Sequence, residues 1–205
     1  MVERQEPEGW FIAIDGIDAS GKGKVIRRIR PHLEPAVVIA CPNRETRSGK
    51  IIKGFLSQGM DYPRMAQIAQ FESNRWEWAE TVREAKSQGR MVLANRWYHS
   101  GMAYALASGE EYYQAVLALT KGIPEPDLSI IIDITVEESY RRKAEPEDRE
   151  TLDHDPVFLS KVRQNFLDLA KRFGWTVIDG MAAPDVVANR VLQSINESRT
   201  PMVGR

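Results

Sequence analysis

The chain is poor in cysteine: its 205 residues contain one, Cys41. A single thiol excludes an intrachain disulfide and any multi-cysteine metal centre, and it suits a reducing compartment. A net charge of either sign is also missing. Lys and Arg number 28 against 29 Asp and Glu, so there is no broad basic field for duplex nucleic acid, and any anion site must come from local clustering. No apolar run approaches membrane-spanning length. The three histidines, His32, His99 and His154, lack paired ligand spacing and read as surface or loop residues. The opening MVERQEPEG is polar and charged, unlike a secretory signal. Internal repeats and low-complexity linkers are absent as well. These absences predict a soluble, cytoplasmic protein without membrane or nucleic-acid partners. They also predict a single domain over 1–205 with frayed tails at 1–8 and 198–205.

What is present begins at residues 11–24, FIAIDGIDASGKGK. A short apolar run leads into Gly16-x-x-x-x-Gly21-Lys22 and then an amphipathic stretch. This is the pattern of a strand entering a phosphate-cradling loop and a helix. Backbone N–H groups and the positive end of the helix dipole would face an anion there. Glycines allow close approach of the backbone, and Lys22 can reach phosphate oxygens as a point charge. An ordinary glycine-rich turn between strand and helix is the competing reading. The usual pattern also places Ser or Thr after the lysine as a Mg²⁺ ligand, where this chain has Gly23.

Apolar strands alternate with helical periodicity along the rest of the chain, which predicts a three-layer α/β fold around a five-stranded parallel sheet. The strands are expected at 10–15, 36–40, 91–95, 128–134 and 175–179. The helices are expected near 21–33, 48–58, 63–88, 100–108, 110–121, 136–144, 155–173 and 183–196. Residues 141–154, RRKAEPEDRETLDH, have almost no apolar content; they read as a solvated loop or as a lid closing over phosphates.

Further motifs follow in a fixed order: Cys41-Pro-Asn-Arg44-Glu-Thr46 after the second strand, Phe71-x-x-Asn74-Arg75-Trp76-Glu77 on the long third helix, and Asn95-Arg96-Trp97-x-x-Ser100-Gly101-x-Ala103-Tyr104 after the third strand. Pro124-x-Pro126-Asp127 enters the fourth strand, and Asp148-Arg149-Glu150 lies in the charged loop. Phe71 and Arg75 share a helix face at i, i+4, where a ring can stack on a flat base while a guanidinium donates to its edge. A core phenylalanine beside a surface ion pair is the plainer alternative. Arg44 and Arg96 each follow a strand, where open parallel sheets meet their ligands, although either could be a solvated arginine.

Across roughly residues 10–195 these motifs resemble the thymidylate kinase family of P-loop nucleoside monophosphate kinases. The resemblance implies ATP-dependent phosphorylation of dTMP to dTDP, with ATP as donor, Mg²⁺ as metal and a homodimer as assembly. It assigns Gly16, Ser20, Gly21, Lys22, Gly23 and Lys24 to ATP. It assigns Asp18, Arg44, Phe71, Arg75, Arg96, Ser100 and Tyr104 to the monophosphate. Within that set, Arg75 meets base O4, Arg44 and Arg96 the phosphates, Asp18 the sugar 3′-hydroxyl, and Tyr104 crowds the 2′-carbon. Ser100 lies near the base, or else caps the following helix. Asp18 and Tyr104 also fit a turn aspartate and a core tyrosine. Some family members carry a loop arginine where this chain has Ala19, so Arg142 and Arg149 of the lid are expected to join Lys22 and Arg96 in catalysis. Gly23, and Asn95 in place of an aspartate, predict a weak or unusual metal requirement, with Asp15 holding Mg²⁺ through water. The runner-up activities are a kinase of altered base preference, such as one acting on dUMP, or a catalytically impaired nucleotide-binding homologue. Action on a base within DNA is a weaker option that the neutral charge opposes.

Overall fold

The computed structural model describes residues 9–143 and 155–199. Five strands, β1 (Phe11–Asp15), β2 (Ala36–Ala40), β3 (Met91–Asn95), β4 (Leu128–Asp133) and β5 (Thr176–Asp179), pair in parallel in the order β2-β3-β1-β4-β5. β1 is central, with Ile12 opposite Leu93 on one side and Leu128 on the other. Every residue of β1 is buried. Such a strand needs apolar residues on both faces, which is why FIAI is a continuous run rather than an alternation.

The two faces of the sheet divide by parity. Ile12, Ile14, Leu93, Ile130 and Ile132 pack with Val25, Ile26 and Ile29 of α1 (Lys22–Ile29) and with Val187, Val191 and Ile195 of α9 (Pro184–Arg199). Phe11, Ala13, Val92 and Ala94 face the other way, against Ala79, Val82 and Ala85 of α4 (Ala79–Ser87). Ile131 joins the core made by α5 (Tyr98–Ser108), α6 (Glu110–Leu119) and α8 (Pro156–Phe173). The remaining helices are α2 (Arg47–Ser57), α3 (Arg64–Trp76) and α7 (Val136–Arg142).

Several helix boundaries differ from expectation. The helix expected over 63–88 is two helices, α3 and α4, separated at Glu77–Trp78. Neither Gly nor Pro marks the break. The Trp78 N–H instead bonds the Arg75 carbonyl three residues back, while its indole donates to Ala40 O of β2 at 3.2 Å. The turn tightens because its side chains are drawn toward separate partners. The chain also stays helical through Arg199 where a tail was expected from 198, and α1 ends at Ile29, followed by a short 3₁₀ turn over Arg30–His32. Most of the segment read as a lid, residues 144–154, lies outside the described residues, and with it Arg149, Asp148 and His154.

Candidate active site

The loops leaving the carboxyl ends of β1, β2 and β3 border two connected cavities, where ligands of open parallel sheets bind. The larger, about 760 Å³, is lined by Asp18–Lys24, Arg44, Asn95, Arg96, Arg141–Lys143 and the β5–α9 loop from Gly180. The smaller is a slot of about 70 Å³, mainly apolar, lined by Phe71, Arg75, Ser100 and Tyr104 among others. Cys41, Pro42 and Arg96 border both. A polar cleft therefore meets a narrow apolar one at an arginine.

The glycine-rich loop is built as its residues require. Gly16 takes φ +137°, and a Cβ there would lie 2.4 Å from the Ile132 carbonyl of β4, so no other residue fits. Lys22 is 6% exposed; its Nζ donates to Ile17 O at 2.7 Å and to Gly16 O and Ser20 Oγ at 3.1 Å each. Five of the six residues assigned to the donor nucleotide line the larger cavity. Gly16 sits behind it and supplies carbonyl anchors. Asp18 pairs with Lys143 and lies 3.6 Å from Arg96 Nη2. Burial pushes its carboxyl up, but Arg96, Lys22 and Lys143 outweigh burial and hold it below the ordinary aspartate range. Arg142 crosses the loop: Nε donates to Glu138 Oε1 at 2.7 Å, Nη1 to Ala19 O at 3.2 Å and Nη2 to Gly180 O at 2.8 Å.

Arg44 is carried on the loop between β2 and α2, and the motif on α3 explains how that loop holds its shape. Asn74 is fully buried. Its Oδ1 accepts from Asn43 N at 2.8 Å, and its Nδ2 lies within hydrogen-bond distance of Asn43 O, Thr46 Oγ1, Ser48 Oγ and Glu77 Oε2. Ser48 in turn donates to Glu77 Oε1 at 3.0 Å. Asn74 and Glu77 thus brace the Arg44 loop rather than line the slot. Phe71 and Arg75 do line it together, as their spacing predicts. Arg75 is 3% exposed, with Nε donating to Trp97 O at 2.9 Å and Nη1 to Glu72 Oε1 at 2.5 Å, so the surface-pair alternative is excluded.

Three expectations need correction. Asp15 was expected to hold a metal-bound water, yet it is fully enclosed. Its Oδ2 accepts from Trp97 N at 2.8 Å and lies 3.2 Å from His99 Nδ1, and its Oδ1 accepts the Ser100 hydroxyl. Burial pushes the Asp15 carboxyl up, but the His99 contact, the Arg96 charge and the Ser100 bond together keep it below the ordinary range. Its acceptors are spent on fixing the start of α5. His99, read as a surface residue, is fully buried between Tyr98 and Trp175, with Nε2 2.7 Å from Ser129 Oγ. Ser100 does not cap α5, which begins at Tyr98 with Trp97 preceding it; the Ser100 hydroxyl also accepts from Arg96 Nη1 at 3.0 Å and lines the slot.

The donor set does not fit a protein-held magnesium. Gly23 offers no hydroxyl, Asp15 is closed off, and no group of three metal-ligating side chains occurs among the described residues. Sequence reasoning also missed Arg64, whose Nη2 donates to Ser108 Oγ at 2.7 Å on the slot wall; burial lowers its pKa. It missed Glu72 and the Gly180–Ala183 loop as well. The small residues after β5, Gly180-Met-Ala-Ala183, at a strand's carboxyl end, were the available signal for that loop.

The family model for thymidylate kinase matches residues 14–191. The chain is similar to a thymidylate kinase of Dictyostelium discoideum, 27% identical over 189 residues that cover 89% of this chain and 83% of that one. It is also similar to the solved structure of a thymidylate kinase from Candida albicans, with a TM-score of 0.84 and 26% identity over 94% of each chain. A matched family model over most of the length, on the five-stranded parallel sheet just described, places this chain in the thymidylate kinase family of nucleoside monophosphate kinases.

Proposed function

We propose that the chain transfers the γ-phosphoryl group of ATP to an α-phosphate oxygen of dTMP, forming dTDP and ADP. The observation that carries this reading is the junction of the two cavities at Arg96. A triphosphate in the polar cleft and a nucleoside in the slot would meet with their phosphates at that guanidinium. Phosphoryl transfer asks a protein mainly to align two anions and spread positive charge over the moving group.

The chain's residues divide that work. Lys22 and the loop amides take the donor's phosphates, Lys22 exchanging its bonds to Gly16 O and Ile17 O for phosphate oxygens. Arg44, held by the Asn74 brace, binds the acceptor phosphate. Arg96 lies between the two anions, and Arg142 approaches the loop from the side of β5. Asp18 is charged and beside Arg96, consistent with a hydrogen bond to the sugar. Phe71, Arg75, Ser100 and Tyr104 enclose the base and sugar. Magnesium enters as the family's expectation alone, since no group of three metal-ligating side chains occurs among the described residues, and no step is assigned to it.

The expected homodimer is supported by exposed apolar side chains on two helices that pack together, Met65 and Trp76 on α3 and Leu117 and Leu119 on α6; sedimentation of the full chain tests it. Among the described residues no helix is long and apolar enough to cross a membrane, in keeping with a cytoplasmic enzyme. The reading as a whole is tested by incubating the chain with ATP, magnesium and a panel of nucleoside monophosphates. dTDP as the main product supports it; no diphosphate from any acceptor overturns it.

A further inference from the structure

Glu72 follows Phe71 on α3, and its side chain is 2% exposed. One carboxylate oxygen, Oε1, accepts from Arg75 Nη1 at 2.5 Å. The other, Oε2, is buried with no hydrogen-bond partner among the described residues. Native interiors rarely leave such an acceptor unsatisfied, and those that remain call for a reason. Glu72 and Arg75 both line the narrow slot. The facing helix makes room for them: a Cβ on Gly101 would lie 2.5 Å from Glu72 Oε1 and 3.2 Å from Arg75 Nη1. Arg75 is anchored again through Nε on Trp97 O, while its Nη2 makes no hydrogen bond among the described residues. A fixed donor and a fixed, unpartnered acceptor thus stand side by side in an apolar pocket.

We propose that Glu72 is a specificity-determining residue, whose Oε2 accepts the N3–H of the base while Arg75 donates to O4. This inference rests on the slot being the acceptor's base pocket. Thymine and uracil present an acceptor at position 4 and a donor at position 3, which complements an arginine beside a carboxylate. Cytosine reverses both positions: its amino group faces the guanidinium, and its N3 lone pair faces the carboxylate. In a dry pocket both mismatches leave desolvated polar groups unpaired. A site built to hydrogen-bond a substrate discriminates far more sharply than one that measures a methyl group.

The test uses the full chain without ATP, titrated calorimetrically with dTMP and with 5-methyl-dCMP, which keeps the methyl group and inverts the edge. Glu72→Gln preserves shape. Its carbonyl retains the Arg75 bond and its amide N–H₂ replaces Oε2, so an acceptor becomes a donor. We expect the variant to lose about 100-fold in affinity for dTMP with little loss for 5-methyl-dCMP. If Glu72 only positions Arg75, both ligands weaken alike; a selectivity ratio within twofold of the parent overturns the inference. Should the variant fail to fold, ¹⁵N-labelled dTMP on the parent chain answers the same question. A bound imino proton that shifts downfield and exchanges slowly supports the inference, and one exchanging as in free nucleotide overturns it. Phosphoryl transfer is assayed separately. A parent chain that selects dTMP but transfers nothing refutes the proposed activity and leaves Glu72 as the reader of the base. A parent that turns over dTMP with an unchanged ratio in Glu72→Gln does the reverse.

Discussion

Arg96 has φ +68°, in the left-handed region, and it is neither glycine nor asparagine. Its flanks are pinned to the end of β1: its own N–H donates to Ile14 O at 3.0 Å, and the next, Trp97 N, donates to Asp15 Oδ2 at 2.8 Å. The backbone therefore cannot relax without breaking one of these bonds. That geometry predicts an inverted order of stability for two truncations. Arg96→Ala and Arg96→Gly lose the same side-chain bonds, to Gly16 O and Ser100 Oγ. They differ only in the backbone. Left-handed φ costs alanine about 1–2 kcal/mol. Glycine avoids this but carries about 0.4–1 kcal/mol more unfolded-chain entropy. The balance favours Arg96→Gly by roughly 0.5–1 kcal/mol, or about 1–4 °C in Tm for a chain of this size. Paired urea and thermal melts measure it, and both variants should lose at least about 100-fold in turnover, because charge at the transferring group is gone. An alanine variant as stable as the glycine variant, or more so, would refute the strain argument. Turnover near the parent's in either would refute the role of the side chain.

Other perturbations test other parts of the site. Asn74→Ala removes a fully buried amide that touches five partners, and should cost about 3 kcal/mol in urea-measured stability and raise the KM for the monophosphate through the Arg44 loop; a change under about 1 kcal/mol would show that the brace is dispensable. The Cys41 thiol is pushed up by burial from 9.0 to about 12, so at pH 8 its thiolate fraction falls about 1,000-fold and native alkylation by iodoacetamide should slow by a similar factor relative to the unfolded chain. Labelling at the unfolded rate would contradict that burial. Asp15 is held below its ordinary value of 3.8, so the folded state favours its carboxylate; its stabilisation is complete above that pH and is lost as pH falls through the lower, folded value. Asp15→Asn should therefore flatten the acid limb of stability below about pH 4, and an unchanged slope would assign that limb to other groups.

The sheet was legible because its strands are apolar on both faces. FIAI, VVIA, MVLA and LSIIID admit few alternatives once helices separate them, and each strand lies within a residue of its expected bounds. The broken third helix was not legible, since its cause includes bonds from Trp78 to Ala40 and from Ser48 to Glu77, partners about thirty or more residues away in sequence. Asp15 was misassigned for a related reason. A carboxylate after a strand and before a phosphate loop suits a metal or a scaffold equally well. The partners that decide between them, Trp97, His99 and Ser100, lie more than eighty residues away. Glu72 was hidden by its chemistry: a glutamate in mid-helix reads as solvated surface. Only the coincidence of Arg75 at i+3 and Gly101 on the facing helix hints otherwise.

The contacts of the cations give the site its resting state. Lys22 rests on Gly16 O and Ile17 O, Arg96 on Gly16 O, and Arg142 on Ala19 O. Three positive side chains thus neutralise carbonyls of one loop, from three different elements of the fold. An arriving phosphate does not have to draw free, hydrated cations out of solvent. It offers the same cations stronger acceptors, since a hydrogen bond to an ionised oxygen is roughly twice as strong as one to a neutral carbonyl. Each exchange keeps its side chain within the reach already set by the loop, so little rotamer entropy is lost on binding. Preorganisation here consists of positioning charges, with Arg142 held by the Glu138 carboxylate and Arg96 beside Asp18, while carbonyls of the loop take the bonds that a phosphate outcompetes; Arg96, strained in backbone and shared by both cavities, is the residue on which that exchange turns.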